Sequence, residues 1–251
     1  MLREKLVFGP IHSRRLGSSL GINLLPERGK LCNFDCIYCE CGWNRDGRGD
    51  RTLPELPAIR ETLEERLIRC AADGIAIDSI TFSGDGEPTL HPDFAAIIDL
   101  TLSLRDRYAP SARVSVLSNA TRLDIPAVFE ALRKVDSPIL KLDAPTTALA
   151  RLINRPQGAY DVARVVEGMR RFEGDFILQT MFLRAPFFDS SSPEILEPWM
   201  ALVRELSPRE VMAYTIARPT PQSGLAKCSA LEMEAMLRPL MEEGFNIKIY
   251  E

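Results

Sequence analysis

Ser19-Leu-Gly-Ile-Asn-Leu-Leu25 and, seven residues further on, Cys32-Asn-Phe-Asp-Cys36-Ile-Tyr-Cys39 orient the rest of the chain. The first stretch reads as a strand, and the second places three thiols within eight residues on the loop that leaves it. A cubane of four irons and four sulfides normally takes four protein thiolates. Three thiolates would leave one iron open to another ligand. Cys41 extends the run to Cys-x3-Cys-x2-Cys-x-Cys, so a zinc or iron–sulfur site closed by four thiolates is the competing reading. Four of the six cysteines fall between residues 32 and 41. That crowding points to metal binding or catalysis, not to a disulfide framework. Cys70, in a helix-like stretch, is expected to be a buried small hydrophobe, and Cys228 has no assignable role.

From this loop onward, strand-like and helix-like segments alternate. Helical periodicity covers Pro57–Ala72, Pro92–Tyr108, Pro126–Lys134, Tyr160–Phe172, Pro193–Leu206 and Ala230–Glu243. Strands are expected at Ala76–Phe82, Arg113–Leu117, Ile139–Asp143, Asp175–Leu183, Glu210–Ile216 and Phe245–Tyr250. A repeated strand–helix order implies a parallel sheet with helices outside, curled by right-handed crossovers. The fold class expected is α/β: an incomplete (β/α) TIM-type barrel of about six parallel strands, with residues 1–251 as a single domain. Within it, residues 1–18 read as an N-terminal arm and 29–51 as the cysteine loop and a Gly-rich loop.

Parallel α/β folds place chemistry at the C-terminal ends of their strands, and the unusual polar residues fall there. After the cysteine loop come Ser83-Gly84-Asp85-Gly86-Glu87-Pro88, Ser118-Asn119, Lys141 and Asp143, Gln179, and Tyr214-Thr215. Gly86 also reads simply as a turn glycine, Ser118-Asn119 as helix caps, and Lys141–Asp143 as a rim ion pair. His12 and His91, the two histidines, read as structural side chains.

Composition adds bounds. The formal net charge is −4, yet residues 1–60 hold ten Lys/Arg against seven Asp/Glu. Arg14, Arg15, Arg28, Lys30, Arg45, Arg48 and Arg51 surround the cysteine loop, either as solvated surface or as a positive rim for an anionic substrate. No apolar run approaches a membrane span. The first residues lack the apolar core and cleavage site of a secretory signal. A cytoplasmic protein without membrane contact is expected.

The Cys-x3-Cys-x2-Cys run, with Tyr38 before its last cysteine, resembles the cluster loop of radical S-adenosylmethionine (SAM) enzymes. That resemblance implies that Cys32, Cys36 and Cys39 hold a [4Fe-4S] cluster whose open iron chelates SAM. One electron then cleaves the sulfonium to a 5′-deoxyadenosyl radical, which abstracts hydrogen from a substrate. Ile80–Pro88 resembles the family's glycine-glycine-glutamate motif, so Gly84, Asp85, Gly86 and Glu87 are implied to receive the methionyl ammonium. By the same resemblance Ser118 and Asn119 take the ribose and carboxylate, and the Tyr38 backbone meets the adenine. Lys141, Asp143 and Gln179 are implied to make further cofactor or substrate contacts.

Phe8–Gly21, Phe82–Pro92 and Leu152-Ile-Asn-Arg-Pro156 together resemble the branch of short proteins classed with tRNA wyosine-base synthases. The second, widely spaced cysteine set of the archaeal and eukaryotic wyosine enzymes has no counterpart, since only Cys41, Cys70 and Cys228 remain. The implied partners are an electron donor such as flavodoxin or ferredoxin and a substrate that is RNA, a polypeptide or a small anionic metabolite. A non-enzymatic metal protein closed by Cys41 and an activase of a partner glycyl-radical enzyme are the alternatives.

Overall fold

The computed structural model describes residues 6–26, 29–47 and 50–251. They divide between two compact units, one within Met1–Cys32, Asn44–Ser118 and Asp124–Pro138, the other within Asn33–Trp43, Asn119–Leu123 and Ile139–Glu251. Of the residues singled out in the sequence, Arg28, Arg48 and the first five of the expected arm lie outside the described residues.

In the first unit, β1 (Val7–Ser13) and β2 (Gly17–Ile22) form an antiparallel hairpin with Val7 opposite Ile22 and Ser13 opposite Gly17. Within the expected N-terminal arm, residues 7–13 are a strand, and Arg14 and Arg15 occupy the hairpin turn. The turn is set by two small residues. Ser13 Oγ accepts from the N–H groups of Arg15 and Leu16. Gly17 sits at φ +70°, where a Cβ would stand 2.3 Å from Asp78 Oδ2. That carboxylate accepts from Ser18 N–H at 2.7 Å.

β2 continues in a parallel ladder to β3 (Ser79–Phe82) and β4 (Arg113–Ser118), with Leu20, Ile80 and Val114 in register. Alternation along these strands gives two unlike faces. Leu20, Ile22, Ile80, Phe82, Val114 and Val116 are buried. With them are buried Ile59, Leu63 and Leu67 of α1 (Leu56–Ala72) and Phe94, Ile97 and Ile98 of α2 (Phe94–Tyr108). Cys70 is buried in α1, as expected of a small hydrophobe. The other face carries hydroxyls bonded to each other at 2.8–2.9 Å, Ser19 to Thr81, Thr81 to Ser79 and Ser79 to Ser115. Buried polar groups are thereby satisfied within the sheet. α3 (Pro126–Lys134) closes this unit against α2, where Lys134 meets Asp99 at 2.7 Å.

The second unit begins within β5 (Ser137–Lys141), then α4 (Thr147–Ile153) and α5 (Val162–Arg170) lead to β6 (Ile177–Ala185). β7 (Phe188–Asp189), α6 (Pro193–Leu206), β8 (Glu210–Thr215), β9 (Ala226–Lys227), α7 (Ala230–Glu242) and β10 (Ile247–Tyr250) follow. β5, β6, β8 and β10 pair in parallel, while β7 and β9 lie antiparallel on the end of β6. The α/β class is therefore as expected. Among the described residues the parallel ladders hold three strands in the first unit and four in the second.

The expected strand to Asp143 stops at Lys141 for a local reason. The Met181 N–H goes to the side chain of Asp143, Oδ1 at 2.9 Å, and not to the strand backbone. Register places Lys141 level with Gln179 and Met181 level with Tyr214. These residues share one face, and Leu140, Leu178 and Val211 pack on the other. Among the described residues no helix is long and apolar enough to cross a membrane.

The start of α7 offers a test of this packing. Ser229 Oγ accepts from Glu232 N–H, the Glu232 carboxylate accepts from Ser229 N–H, and Arg184 of β6 lies 2.9 Å from that carboxylate. The Ser229 N–H, and then Arg184, hold Glu232 down at about 2, against an ordinary 4.5. A carboxylate lowered by folding adds stability above its unfolded pKa and loses it as pH falls toward the folded one. Glu232→Gln should lower the melting temperature at pH 7, followed by circular dichroism. The gap to wild type should close as pH falls from about 4.5 to about 2.

Candidate functional site

The first unit holds some of the expected site residues through backbone contacts. Leu31 N–H donates to Asp85 O at 2.9 Å, and Glu87 N–H donates to Leu31 O at 3.0 Å. Leu31 and Gly86 thus form a parallel bridge beyond the end of β3, and Cys32 is held directly beside the Gly84–Glu87 turn. Only glycine permits this approach. Gly86 lies at φ +145°, and a Cβ there would stand 1.8 Å from Leu31 O. A Cβ on Gly84 would stand 2.0 Å from Asn23 Oδ1.

Asn23 is the lock on that turn. Its Oδ1 accepts from the N–H groups of Leu25 and Asp85, and its Nδ2 donates to Asp85 Oδ2 at 3.3 Å. Glu87 follows Gly86 and is 2% exposed, its Oε1 accepting from Thr89 N–H, Thr89 Oγ1 and Ser118 Oγ. Gly84, Asp85, Gly86, Glu87 and Ser118 are therefore one bonded group, with Cys32 on its margin. Asn44 Nδ2 holds the Cys32 carbonyl at 3.0 Å.

The second unit gathers its own group of the expected residues. Asn33, Asn119 and Thr121 bond in a ring. Asn119 Nδ2 donates to Asn33 Oδ1, Asn33 Nδ2 to Thr121 Oγ1, and Thr121 Oγ1 to Asn119 Oδ1. Deeper in, Asp143 Oδ2 accepts from the Tyr38 hydroxyl and from Asn154 Nδ2. Lys141 Nζ lies 3.6 Å from Asp143 Oδ1 and donates to the Tyr214 hydroxyl at 2.5 Å. It stands about 5 Å from the ring centres of Tyr38 and Tyr214. Burial pushes the Lys141 ammonium toward neutrality, but Asp143, Tyr214 and Cys36 together outweigh it and hold the lysine charged. Burial raises the Cys36 thiol to about 11 despite Lys141, and burial and Asp143 raise Tyr38. The ion pair expected at Lys141–Asp143 is present, but buried.

The donor chemistry fits a cluster and SAM. Among the described residues none of the six cysteines is in a disulfide. Cys32 falls in the first unit, Cys36 and Cys39 in the second, and no three His, Cys, Asp or Glu among the described residues are grouped to hold a metal ion. The loop's fit thus rests on its thiol donors and its fixed backbone, not on a preformed cage. A buried amide supports it: Gln179 Nε2, on a side chain 4% exposed, makes no hydrogen bond among the described residues. Gln179 and Lys141 present donors on one strand face.

Three contributors are not evident from the sequence. Asn23 reads there as strand interior, although a lone amide in the run Ile22-Asn-Leu-Leu25 is a signal. Asn33 is an unconstrained position of the cysteine motif. Asn154 lies in the Leu152–Pro156 stretch, where the resemblance assigns it no role. His91 is structural, its Nε2 at 2.9 Å from Pro54 O and its Nδ1 accepting from Asp93 N–H.

Residues 27–184 match the family model described as the radical SAM superfamily. The chain is similar to a UPF0026 protein of Synechocystis sp., 31% identical over 221 residues that cover 86% of this chain and 77% of that protein. It is also 31% identical, over 94% of its length, to a Brachyspira hyodysenteriae protein named GTPase Obg, of which it spans only 33%. Among solved structures, a radical SAM methyltransferase from Sphaerobacter thermophilus shares the fold at a TM-score of 0.69 and 15% identity, covering 92% of this chain and 66% of that one. The shared fold is the incomplete (β/α) barrel expected from the sequence.

The bridge at Gly86 makes a measurable demand. Gly74 lies at φ +66° with nothing within 4 Å of a built Cβ, so Gly74→Ala carries only the left-handed backbone cost, about 1–2 kcal/mol. Gly86→Ala adds a collision with a backbone carbonyl and should cost at least ~3 kcal/mol. Urea midpoints at unchanged slope would measure the difference.

Proposed function

The chain belongs to the radical SAM superfamily, and we propose that it is an enzyme binding one [4Fe-4S] cluster and SAM to carry out radical chemistry. When bound and reduced, the cluster supplies the electron that cleaves the sulfonium of SAM, giving methionine and a 5′-deoxyadenosyl radical that takes hydrogen from a substrate. Cys32, Cys36 and Cys39 are the proposed cluster ligands. The observation that carries the reading is the Leu31–Gly86 bridge, which sets the first of these cysteines against the Gly84–Glu87 turn.

The roles of the remaining residues follow from their chemistry. Gly84 and Gly86 keep side chains out of the turn, so a ligand's ammonium can meet backbone carbonyls. Asp85 and Glu87 add negative charge, which complements an ammonium. Ser118 fixes Glu87 by a 2.8 Å hydrogen bond. Asn119 orders the loop through Asn33, and Tyr38 offers its backbone to the adenine. Lys141 and Gln179 supply donors for an oxygen-rich group of cofactor or substrate, with Asp143 keeping Lys141 charged. An electron donor such as flavodoxin or ferredoxin, a cytoplasmic setting and a substrate among RNA, polypeptides or small anionic metabolites complete the reading.

Anaerobic reconstitution with iron and sulfide, followed by dithionite and SAM, tests it. The wild-type protein should release 5′-deoxyadenosine. Cys32→Ala, Cys36→Ala and Cys39→Ala should each abolish release, while Cys41→Ala leaves both iron content and release unchanged. No release from wild type, with metal lost on Cys41→Ala, would instead establish a closed four-thiolate site.

A further inference from the structure

The stretch around Leu152–Pro156 has no part in the chemistry above, yet it lies along the cysteine loop. Ile37 N–H donates to Ile153 O at 2.9 Å and Asp35 N–H to Asn154 O at 2.9 Å. Gln157 N–H donates to Asn33 O at 2.8 Å. Tyr160 packs edge-on against Phe34 at 5.2 Å, and Arg155 lies 4.8 Å over the Trp43 ring. Three backbone bonds and two ring contacts thus fasten residues 33–43 to the end of α4 and to residues 154–160 beyond it. A side chain at the centre of such a clamp is aimed with little freedom.

That side chain is Asn154, 2% exposed. Its Nδ2 lies 2.6 Å from Asp143 Oδ2, 2.9 Å from the Tyr38 hydroxyl and 3.5 Å from Cys36 Sγ. An amide has two N–H groups for these three acceptors. One goes to the Asp143 carboxylate, the nearest and most negative. The second is shared between a phenol oxygen and a sulfur. A thiolate carries charge where a phenol does not, and charge-assisted hydrogen bonds are roughly twice as strong as neutral ones, so the shared hydrogen turns toward the sulfur once Cys36 is a thiolate.

We infer that Asn154 is a positioning residue that donates a hydrogen bond to the Cys36 thiolate and thereby raises the reduction potential of the cluster held there. The inference rests on Cys36 being a cluster ligand. Hydrogen bonds to ligating sulfur favour the more reduced, more negative cluster. Asp143 holds the amide in the orientation that serves the sulfur, and so couples the cysteine loop to Lys141.

The test is a redox titration of the anaerobically reconstituted protein, with the reduced cluster followed by electron paramagnetic resonance. Asn154→Leu keeps the same branched heavy-atom skeleton but has no N–H. Tyr38→Phe disturbs Asp143 while leaving the amide–sulfur contact in place. Asn154→Leu should hold as much iron as wild type and titrate at a more negative potential, and Tyr38→Phe should shift it less. Equal potentials in all three proteins would overturn the assignment alone. So would iron lost from Asn154→Leu while the remaining cluster titrates as in wild type, which marks a purely structural role. A wild-type protein that takes up no iron would sink the underlying reading, and this inference with it.

Discussion

Two backbone hydrogen bonds, Leu31 N–H to Asp85 O and Glu87 N–H to Leu31 O, are the constraint on which the rest depends. They extend parallel pairing past the end of β3 to the residue before Cys32. The contact requires Gly86, because any side chain there would occupy the Leu31 carbonyl. It also requires Asn23, whose amide satisfies the backbone and carboxylate of Asp85 together. The turn after β3 and the start of the cysteine loop are therefore one structural element.

The rest of the loop is governed by a second set of bonds. Asn33 is tied to Asn119 and Thr121, and residues 33–37 hang from the backbone of residues 153–157. Three thiols on an unrestrained loop would lose much conformational entropy in converging on one ligand. Pinning the loop on both sides of Cys36 would remove part of that cost for the proposed cluster. The buried group around Asp143 then sets the electrostatics: one carboxylate accepts from Tyr38, Asn154 and the Met181 N–H and, with Tyr214 and Cys36, holds Lys141 charged.

Much of this is legible in the sequence, and the exceptions have physical causes. Strand–helix alternation points to the α/β class, because periods of 2 and 3.6 are written directly in the apolar positions of Leu20, Ile22 and Ile80 or of Ile59, Leu63 and Leu67. The cysteine spacing and the Gly84–Glu87 turn mark the candidate site. The first hairpin is not legible, since Phe8-Gly-Pro-Ile-His lacks alternation and the pairing slips between Phe8 and Ile11. Asn23, Asn33 and Asn154 are hidden for another reason. An amide's role lies in which partners the fold brings to it, and those partners lie 62, 86 and 118 residues away.

The central claim is that three thiolates leave one iron of a four-iron cluster open to SAM. The most direct measurement is the Mössbauer spectrum of the chain reconstituted with 57Fe, recorded before and after SAM is added. The expected result is a four-iron cluster in which one iron site alone changes its parameters as the cofactor binds. A spectrum unchanged by SAM, or a single mononuclear site, would contradict the account.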